Sequence, residues 1–527
     1  MEVVVWWWLM AAMGGYMVAF VWVKVWWRPR KIQRQLSKQG INGPPYHLLL
    51  GNIKEIVSLT AKATSSLPLS PPHNILPRVL PFYHHWNKIY GSTFVLWFGS
   101  SPRLIISESV LIREILVVKQ DLFEKVDPPT QMKNLEGHGL TTLNGHKWSL
   151  HRRILSPLFH IQNIKLMVPT ICKTTKQMLD TWSEMSSSST SGNLEIELSQ
   201  WFLTLTGDII THAVFGTSYQ QGKAIFNSQA QQVLDAIGSY NKVSIPGFRF
   251  VPTKKNRDSW KLERQMRTSL IKLIEERIKN IDDHQRRDNC FAGDDVLDLM
   301  IKARISDQAY PSSSTSESAI AVEDIVGECK NMFFAGKQTT SNLLTWTTIL
   351  LAMHPTWQEK ARDEVLSVCG AASDIPTKDD VTKLKTLGMI VNESLRLYPP
   401  PVAILRRAKV DVELGGYVIP GGTQVLIPTL AVHHDPILWG NDSTEFNPDR
   451  FSKGVAGSTN HPMAFMPFGI GPRRCIGQNL AILQAKLTLA MILKRFTFHL
   501  SPEYRHAPTI MILLQPQHGA KIIVRKL

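Results

Sequence analysis

The order of apolar and polar residues along the chain predicts a mainly helical protein with short strands. Apolar residues recur at helical spacing in four long segments: Met167–Met185, Ser259–Ile281, Val322–Met353 and Gln478–Lys494. The alternation that is typical of strands is limited to five short segments: Thr93–Phe98, Arg103–Ser107, Val412–Leu414, Gln424–Pro428 and Thr509–Leu514. These patterns predict a mainly α domain with small β sheets. Three further stretches favour surface loops: Ser65–Pro72, Ser186–Gly192 and Tyr310–Ser318.

An uncharged, mostly apolar stretch runs from Val3 to Val23. As a helix, a stretch of this length spans about 30 Å, which is the thickness of the hydrocarbon core of a bilayer. Tryptophans lie near both of its ends, and the charges that follow, from Lys24 to Arg34, are all positive. By the positive-inside rule, this pattern predicts a single-pass anchor over residues 1–27, with the remaining chain in the cytosol. A cleaved signal peptide and a buried core helix are the alternatives.

Beyond the anchor, we expect a connector and one folded domain. Residues 28–45 combine a basic run with the sequence Gly-Ile-Asn-Gly-Pro-Pro at 40–45, which cannot continue a helix. No internal repeat or long linker interrupts the chain after that point. We therefore expect residues 46–527 to form the folded domain.

Composition and charge narrow the class of protein. The 527 residues are 43% hydrophobic and 19% charged, which argues against a disordered chain. Lys and Arg outnumber Asp and Glu by 59 to 43, which favours anionic partners. We expect membrane lipid to be one of them, since basic residues follow the predicted anchor directly. No motif for binding nucleic acid is recognised, so nucleic acid is not an expected partner.

The five cysteines, Cys172, Cys290, Cys329, Cys369 and Cys475, are widely scattered, and no pair has the spacing of a zinc site. Cys475 differs from the others because it lies in the sequence Phe-Gly-Ile-Gly-Pro-Arg-Arg-Cys-Ile-Gly, immediately before a predicted helix. A helix N-terminus favours a thiolate, and the glycines let a flat ligand approach the backbone. A protein can hold haem iron through sulfur in this way. A buried structural cysteine in a turn is the alternative.

This segment resembles a known family. Phe468, Gly469, Gly471, Arg473, Cys475 and Gly477 resemble the haem-binding signature of the cytochrome P450 monooxygenases. The resemblance implies the cytochrome P450 fold, O2 as a substrate, and haem b with Cys475 as the axial ligand of its iron. Because the chain has no dinucleotide-binding or flavin-binding motif, the electrons must come from a separate reductase.

Further motifs of the same family follow in the expected order. Glu393-Ser394-Leu395-Arg396 resembles the ExxR motif, whose two charged side chains share a helix face at i and i+3. Arg450, in the segment Phe446–Phe451, matches the arginine that joins this pair in the family. We expect Glu393, Arg396 and Arg450 to form a structural cluster. Taken alone, the first two would more often be a solvated surface pair.

The resemblance also implies residues that bind the haem carboxylates. Trp148 and Arg152 match the WxxxR motif of the family, at i and i+4 on a helix that starts near Gly145. The family pattern assigns the same role to Arg473 and to Arg406, for which the neighbouring Arg407 is the alternative. Arginine suits this role because its planar guanidinium binds a carboxylate through two parallel hydrogen bonds.

The segment Phe333–Thr340 resembles the oxygen-binding motif of the family, inside a long predicted helix. Thr339 matches the threonine that holds a water-linked proton relay there, and its hydroxyl can bond back to the carbonyl of Ala335. Gly336 together with Thr339 is expected to open a groove in the helix. Gln338 departs from the family pattern, which usually has an acid at this position, and an amide cannot relay a proton by ionising. We therefore take Thr339 and Gln338 as the candidate catalytic residues.

Longer runs resemble a plant branch of the family, the brassinosteroid-inactivating hydroxylases. They are Trp27–Ile32, Gly336–Trp346 and Ile476–Lys486. This resemblance implies hydroxylation of a steroid side chain at carbon 26, a small apolar hormone-like substrate, an NADPH-dependent microsomal cytochrome reductase as partner, and an endoplasmic-reticulum membrane location. Family placement gives the candidate pocket residues Phe333, Phe334, Ala335, Val402, Ala403 and Met511.

Two kinds of alternative function stay open. The substrate can be another plant isoprenoid, such as a gibberellin, a cytokinin or another terpenoid. From a different class, the chain can be a haem-thiolate sensor or carrier without catalysis. Consumption of NADPH that is coupled to a hydroxylated product separates an enzyme from a sensor.

Overall fold

The structure is a computed structural model, and it describes residues 2–66, 69, 73–188, 192–216, 219–227, 233, 251–285, 295–309, 320–370 and 375–527. The predicted loop Tyr310–Ser318 lies outside the described residues, as does Cys290. Parts of the predicted loops Ser65–Pro72 and Ser186–Gly192 also lie outside them.

Helices make up most of the described chain. In chain order they are α1 (Glu2–Trp22), α2 (Arg28–Ser37), α3 (Ile53–Ser65), α4 (Leu76–Val79), α5 (Pro81–Tyr90), α6 (Ser109–Arg113), α7 (Thr130–Glu136), α8 (Gly145–Leu155), α9 (Ile161–Lys165), α10 (Val168–Ser187), α11 (Leu198–Phe215), α12 (Tyr219–Asn227), α13 (Lys254–Gln285), α14 (Val296–Ala309), α15 (Val322–Met353), α16 (Pro355–Cys369), α17 (Asp380–Lys383), α18 (Lys385–Leu397), α19 (Thr429–His433), α20 (Pro436–Trp439) and α21 (Gln478–Arg495).

The strands are short, as the sequence predicts. They are β1 (Thr93–Phe98), β2 (Ser101–Ile106), β3 (Phe123–Glu124), β4 (Asn193–Glu197), β5 (Ile404–Ala408), β6 (Val412–Leu414), β7 (Tyr417–Ile419), β8 (Gln424–Ile427), β9 (Phe496–Leu500), β10 (Pro508–Met511), β11 (Leu513–Pro516) and β12 (Lys521–Lys526). They form a 5-stranded sheet in the order β1-β2-β8-β5-β3, a 3-stranded sheet in the order β4-β12-β9, and two 2-stranded sheets, β6-β7 and β10-β11.

One predicted strand is wrong in an informative way. The segment Thr509–Leu514 is two antiparallel strands, β10 and β11, which reverse at Ile512. Ile512 has φ 75°, in the left-handed region that a β-branched residue rarely adopts. Because the sequence has no glycine, asparagine or proline at this position, it gives no turn signal, and the alternation pattern continues through the reversal.

The N-terminal helix is long enough and apolar enough to cross a membrane from Val5 to Ser37, which includes α1, one π-helical stretch at Val23–Trp27, and α2. Its most apolar 18-residue window is 0% buried by the rest of the chain. The second half behaves differently, because Ile32 and Leu36 of α2 are buried in a core cluster with Trp97 and Val425. Part of the segment that we expected to be a connector is therefore a packed helix, and the predicted boundaries at residues 27 and 45 stay predictions.

The contacts divide the chain into two compact units. The first unit comprises Met1–Val126, Val402–Glu445 and Thr459–Arg474, and the second comprises Asp127–Pro401, Phe446–Ser458 and Cys475–Leu527. The first unit is built on the 5-stranded sheet, whose inward-facing side chains form its core. The second is helical around α15, which is buried along most of its length.

The segment at 40–45 shows how the first unit holds the chain after α2. The backbone N–H of Val95 on β1 donates to the carbonyl of Asn42 at 3.0 Å. A Cβ on Gly43 would lie 1.8 Å from the carbonyl oxygen of Val95, so only glycine allows this close backbone approach.

Candidate active site

Cys475 is the thiol that a ligand can reach among the described cysteines. It lies just before α21, whose first residue is Gln478 and whose N-cap is Gly477. Cys475 is exposed, whereas Cys172, Cys329 and Cys369 are buried. Burial raises the pKa of the Cys172 thiol to about 11, and it also raises the pKa of the thiols of Cys329 and Cys369. An exposed thiol at a helix N-terminus fits a haem-iron ligand, and buried thiols with raised pKa values do not.

Backbone conformation and packing also explain why glycine occupies the positions before Cys475. Gly469 and Gly471 have φ angles of 69° and 74°, which favour glycine. A Cβ on Gly471 would also lie 2.2 Å from the carbonyl oxygen of Leu116. The loop therefore needs glycine at Gly471 to pack backbone against backbone inside the first unit.

In the second unit, Arg152 lies within electrostatic reach of Cys475. Arg152 is half-buried on α8, and burial lowers its pKa while the charge of the Cys475 thiolate acts in the opposite direction. Trp148 is one helical turn earlier, at the i and i+4 spacing that places two side chains on one face. Both residues therefore stand on the helix face that the WxxxR motif requires.

In the first unit, the positive charge of Arg473 acts on the buried Arg406. Arg406 on β5 is buried, and burial together with the positive charge of Arg473 lowers its pKa to about 10. Burial also lowers the pKa of Arg473. A buried cation that is repelled by a second, partly buried cation favours an anionic ligand, which fits the carboxylates of a haem.

Arg407 points to the other side of β5. Its Nη2 lies 2.7 Å from Oε1 of Glu124 on the neighbouring strand β3. Successive side chains of a strand face opposite sides of the sheet, so Arg406 and Arg407 cannot both face the same ligand. The structure thus favours Arg406 over its neighbour, while the carboxylate contact itself stays a prediction.

The structure brings Glu393, Arg396 and Arg450 together in the second unit. Arg396 donates from Nε to Oε2 of Glu393 at 2.7 Å and from Nη2 to Oε1 at 2.8 Å, and both side chains are 0% exposed. The Nε of Arg450 lies 3.7 Å from Oε1 of Glu393, and the backbone N–H of Asn447 donates to the same oxygen at 2.9 Å. The pair is therefore buried rather than solvated, and Asn447 and Arg450 add two further contacts to the Glu393 carboxylate.

The predicted back-bond of Thr339 is present in α15. Its hydroxyl donates to the carbonyl oxygen of Ala335 at 2.6 Å. Because this bond uses the single proton of the hydroxyl, Oγ1 can only accept a further hydrogen bond, for example from water. The neighbouring Gln338 is buried, with 8% of its surface exposed.

The structure gives Gly336 a packing role, and the groove that we expected there stays a prediction. A Cβ on it would lie 2.6 Å from both Cγ1 and Cδ1 of Ile210 on α11. The glycine therefore lets α11 pack closely against α15. Thr206 of α11 supports the same contact, because its hydroxyl donates to the carbonyl of Lys337 at 2.9 Å.

The candidate pocket residues fall into both units. In the second unit, Phe334 packs in an apolar cluster with Leu135, Met132 and Ile512. Ile512 is the residue after Met511, at the tip of the β10–β11 hairpin. Phe333 is buried and Ala335 is partly buried, and in the first unit Val402 is buried and Ala403 partly buried. Sequence reasoning missed Leu135 and Ile512, since their proximity to Phe334 depends on contacts between distant segments.

Sequence reasoning also missed a buried pair that joins α8 to α15. Nδ1 of His151 lies 2.6 Å from Oε1 of Glu328, and both side chains are 0% exposed. The available signal was the position of His151 inside the sequence Trp-Ser-Leu-His-Arg of the WxxxR motif.

Comparison with known proteins agrees with this geometry. The cytochrome P450 family model matches residues 78–524. Cytochrome P450 734A1 of Arabidopsis thaliana is 56% identical over 504 residues, covering 95% of this chain and 93% of the relative. Cytochrome P450 734A6 of Oryza sativa subsp. japonica is 53% identical over 527 residues, covering 98% of this chain and 96% of the relative. Cytochrome P450 72A397 of Kalopanax septemlobus is 39% identical over 503 residues, covering 95% and 94%.

These matches confirm several expectations. The mainly α fold with small β sheets is the cytochrome P450 fold, and the resemblance to plant members of the family is correct. Family members hold haem iron through a thiolate and use O2, a redox-partner reductase and a hydrophobic substrate. Among the described residues, one helix, at the N-terminus, is long and apolar enough to span a membrane, which is consistent with a single-pass membrane anchor. The chain belongs to the cytochrome P450 family, and it is a haem-thiolate monooxygenase.

Proposed function

We propose that this enzyme hydroxylates a brassinosteroid at carbon 26 of the side chain and thereby inactivates the hormone. The observation that carries the proposal is the run Gly336–Trp346, which resembles the brassinosteroid-inactivating hydroxylases and lies entirely within α15. This run includes Gln338 and Thr339, so the resemblance extends to the departure from the usual acid. The reaction replaces a C–H bond by a C–OH bond with one oxygen atom of O2, and the other oxygen atom leaves as water.

For the cofactor, we propose haem b with Cys475 as the thiolate ligand of the iron. When bound, the haem supplies the activation of O2, and the thiolate donates electron density that favours O–O cleavage. Trp148, Arg152, Arg406 and Arg473 bind the haem carboxylates. Two observations support this set. The charge of Cys475 acts on Arg152, and the positive charge of Arg473 acts on the buried Arg406.

The cluster of Glu393, Arg396 and Arg450 has a structural role in this proposal. The two bonds between Glu393 and Arg396 are buried within α18. The contacts of Asn447 and Arg450 with Glu393 join α18 to the segment that carries those two residues. None of the three residues is assigned contact with the substrate.

Proton delivery depends on Thr339 and Gln338. The hydroxyl of Thr339 is held on Ala335, so it can accept a hydrogen bond from a water on the oxygen-binding side of α15. The buried amide of Gln338 orders water through its N–H donors rather than by ionising. Protons then pass through ordered water, and the side chains fix where that water sits.

The proposed pocket suits a rigid, apolar molecule with few hydroxyl groups. Phe333, Phe334, Ala335, Val402, Ala403 and Met511 are the proposed contacts. The apolar cluster of Phe334, Leu135 and Ile512 supports a hydrophobic wall in the second unit. Apolar walls with a small number of polar groups are typical of sites for such ligands.

The electrons come from an NADPH-dependent microsomal cytochrome reductase in this proposal. The enzyme lies in the endoplasmic-reticulum membrane through residues 1–27, with its catalytic domain in the cytosol. The exposed helix from Val5 onward and the positive charges after it support this orientation.

One experiment tests the haem ligand. The reduced protein with carbon monoxide bound should show the red-shifted absorption band of a haem with a thiolate ligand. Cys475→Ala should lose that band, whereas Cys369→Ala should keep it because Cys369 is buried in the last turn of α16. A full band in the Cys475→Ala protein would remove Cys475 from the site.

A second experiment tests the substrate. The full-length enzyme is supplied with reductase, NADPH and, in separate reactions, a brassinosteroid, a gibberellin, a cytokinin and a triterpenoid. We expect a hydroxylated product from the brassinosteroid, with the new hydroxyl on carbon 26. A product from one of the other compounds alone would assign the enzyme to that isoprenoid, and haem binding without any product would indicate a sensor or carrier.

A further inference from the structure

His151 and Glu328 form a buried pair that the proposed reaction does not use. The 2.6 Å contact joins Nδ1 of His151 on α8 to Oε1 of Glu328 on α15, and neither side chain has exposed surface. Burial raises the pKa of the Glu328 carboxyl, and the bond to His151 opposes that shift. A buried pair of this kind adds little net stability over apolar packing. We therefore look for its role in fixing the position of α8 against α15.

A second pair lies one helical turn earlier on both helices. Nζ of Lys147 lies 2.5 Å from Oδ1 of Asp324, which is 7% exposed. Lys147 and His151 are four residues apart on α8, and Asp324 and Glu328 are four residues apart on α15. Two links at matching intervals fix both the translation and the rotation of α8 against α15, which a single link cannot do.

The face of α8 that carries Lys147 and His151 lies beside the face that carries the proposed haem contacts. Trp148 directly follows Lys147, and Arg152 directly follows His151. Neighbouring residues of a helix are about 100° apart around its axis. Any rotation of α8 that loosened the two links would therefore turn Trp148 and Arg152 by the same angle.

The other helix connects the pair to the oxygen-binding residues. Glu328 precedes Thr339 by eleven residues on α15, which is about three turns and returns to nearly the same face of the helix. The segment that leads into α8 is fixed to α15 as well. Asn331 donates from Nδ2 to the carbonyl of Glu136 at 3.2 Å, and its Oδ1 accepts from the backbone N–H of Thr141 at 3.3 Å.

We infer that His151 and Glu328 are positioning residues, which hold α8 in the rotation that directs Arg152 at a haem carboxylate. The inference rests on the proposed function, because that function assigns the carboxylate contact to Arg152. The alternative is that the pair only stabilises the fold. The two hypotheses differ in one respect: if the pair is a positioning pair, breaking it changes haem retention through Arg152.

The test measures how fast haem leaves the full-length protein for an excess of an apo-haem acceptor. We expect Glu328→Gln to speed haem loss by about tenfold, which corresponds to an interaction of about 1.4 kcal/mol. Arg152→Ala should speed it as well. If the pair acts through Arg152, adding Glu328→Gln to Arg152→Ala should cause no further increase, because coupled residues are not additive. Glu503→Gln, which changes an acid that is 67% exposed and pairs with Lys521, should leave the rate unchanged.

A paired apolar replacement separates positioning from stability. His151→Phe combined with Glu328→Leu replaces both buried polar side chains by apolar ones, so it should restore the melting temperature. Haem loss should stay fast in this protein, since the directional bond is gone. This double variant also keeps the inference testable if the Glu328→Gln protein fails to fold.

Three outcomes would overturn the inference. They are an unchanged rate in Glu328→Gln, rate effects of Glu328→Gln and Arg152→Ala that multiply, and a paired apolar protein that recovers normal haem retention. A different result, normal haem retention in Arg152→Ala itself, would contradict the carboxylate contact of the proposed function and this inference with it.

Discussion

Glu393 and Arg396 are joined by two parallel hydrogen bonds of 2.7 and 2.8 Å inside the second unit, with both side chains fully buried. Removing one partner leaves the other charge buried without compensation, which costs about 3–5 kcal/mol. This loss is a large share of the stability of a typical protein, which is about 5–15 kcal/mol.

We therefore expect Arg396→Ala and Glu393→Ala to prevent the accumulation of haem-loaded protein rather than to slow the chemistry. The measurement is the yield of holoprotein, taken from the absorption of the reduced carbon monoxide complex. Lys176→Ala is the matched control, because Lys176 and Asp180 form an exposed pair on α10, and exposed pairs contribute about 0–1 kcal/mol. A normal yield from either core variant would show that the pair is not needed for folding.

The N-terminal helix should tolerate one truncation and not another. Deleting residues 2–22 removes the exposed part of the helix, so the haem-loaded protein should still form. Deleting residues 2–37 also removes Ile32 and Leu36 from the core of the first unit, and the loss of large buried side chains costs about 2–5 kcal/mol each. The thermal midpoints of the two proteins in detergent measure the difference. Equal midpoints would mean that α2 does not stabilise the first unit.

Gly336→Ala should destabilise the protein although alanine is the better helix former. Alanine gains about 1 kcal/mol in helix propensity, but its methyl group would overlap Ile210, and overpacking costs about 1–3 kcal/mol. Combining it with Ile210→Ala should cost less than the sum of the two single changes, since the new methyl occupies vacated space. Gly207→Ala on α11 is the control, because its Cβ would be 3.4 Å from the flexible side chain of Lys337. Additive losses of thermal stability in the double variant would show that the two side chains do not compete for space.

Thr339 and Gln338 should control how efficiently NADPH is used. Thr339→Ala should still bind substrate and consume O2, but it should release hydrogen peroxide in place of product, whereas Thr339→Ser keeps the hydroxyl and should keep the coupling. We expect Gln338→Glu to lower the coupling, because the position is only 8% exposed and burial disfavours an ionised carboxylate. The ratio of hydroxylated product to NADPH consumed measures both effects. An unchanged ratio in Thr339→Ala would remove the threonine from the proton path.

Much of the helical framework could be predicted from the sequence, because long periodic segments carry a strong local signal. Val322–Met353 matches α15 at both ends, and Thr93–Phe98 matches β1. The Thr339 back-bond was predictable for the same reason, since donor and acceptor are four residues apart on one helix. Glu393 and Arg396 were predictable as a pair, but their burial was not, because it depends on the elements packed around them.

The features that could not be predicted depend on distant contacts. No glycine, asparagine or proline marks the reversal at Ile512, and its backbone conformation is one that the local sequence disfavours. The residue packs against the cluster of Leu135 and Phe334, which are distant in the sequence. The choice of Arg406 over Arg407 depends on the pairing of β5 with β3, which brings Glu124 to Arg407. The reason for Gly336 likewise lies in α11, in the side chain of Ile210.

The most direct test of the proposed function is a reaction of the full-length enzyme with a brassinosteroid, reductase and NADPH under ¹⁸O-labelled O2. We predict one ¹⁸O atom in the product, located by mass spectrometry and NMR at carbon 26, with label from O2 and none from water. The Cys475→Ala protein should give no such product. Unlabelled product, or label placed only at ring carbons, would contradict side-chain hydroxylation by this monooxygenase.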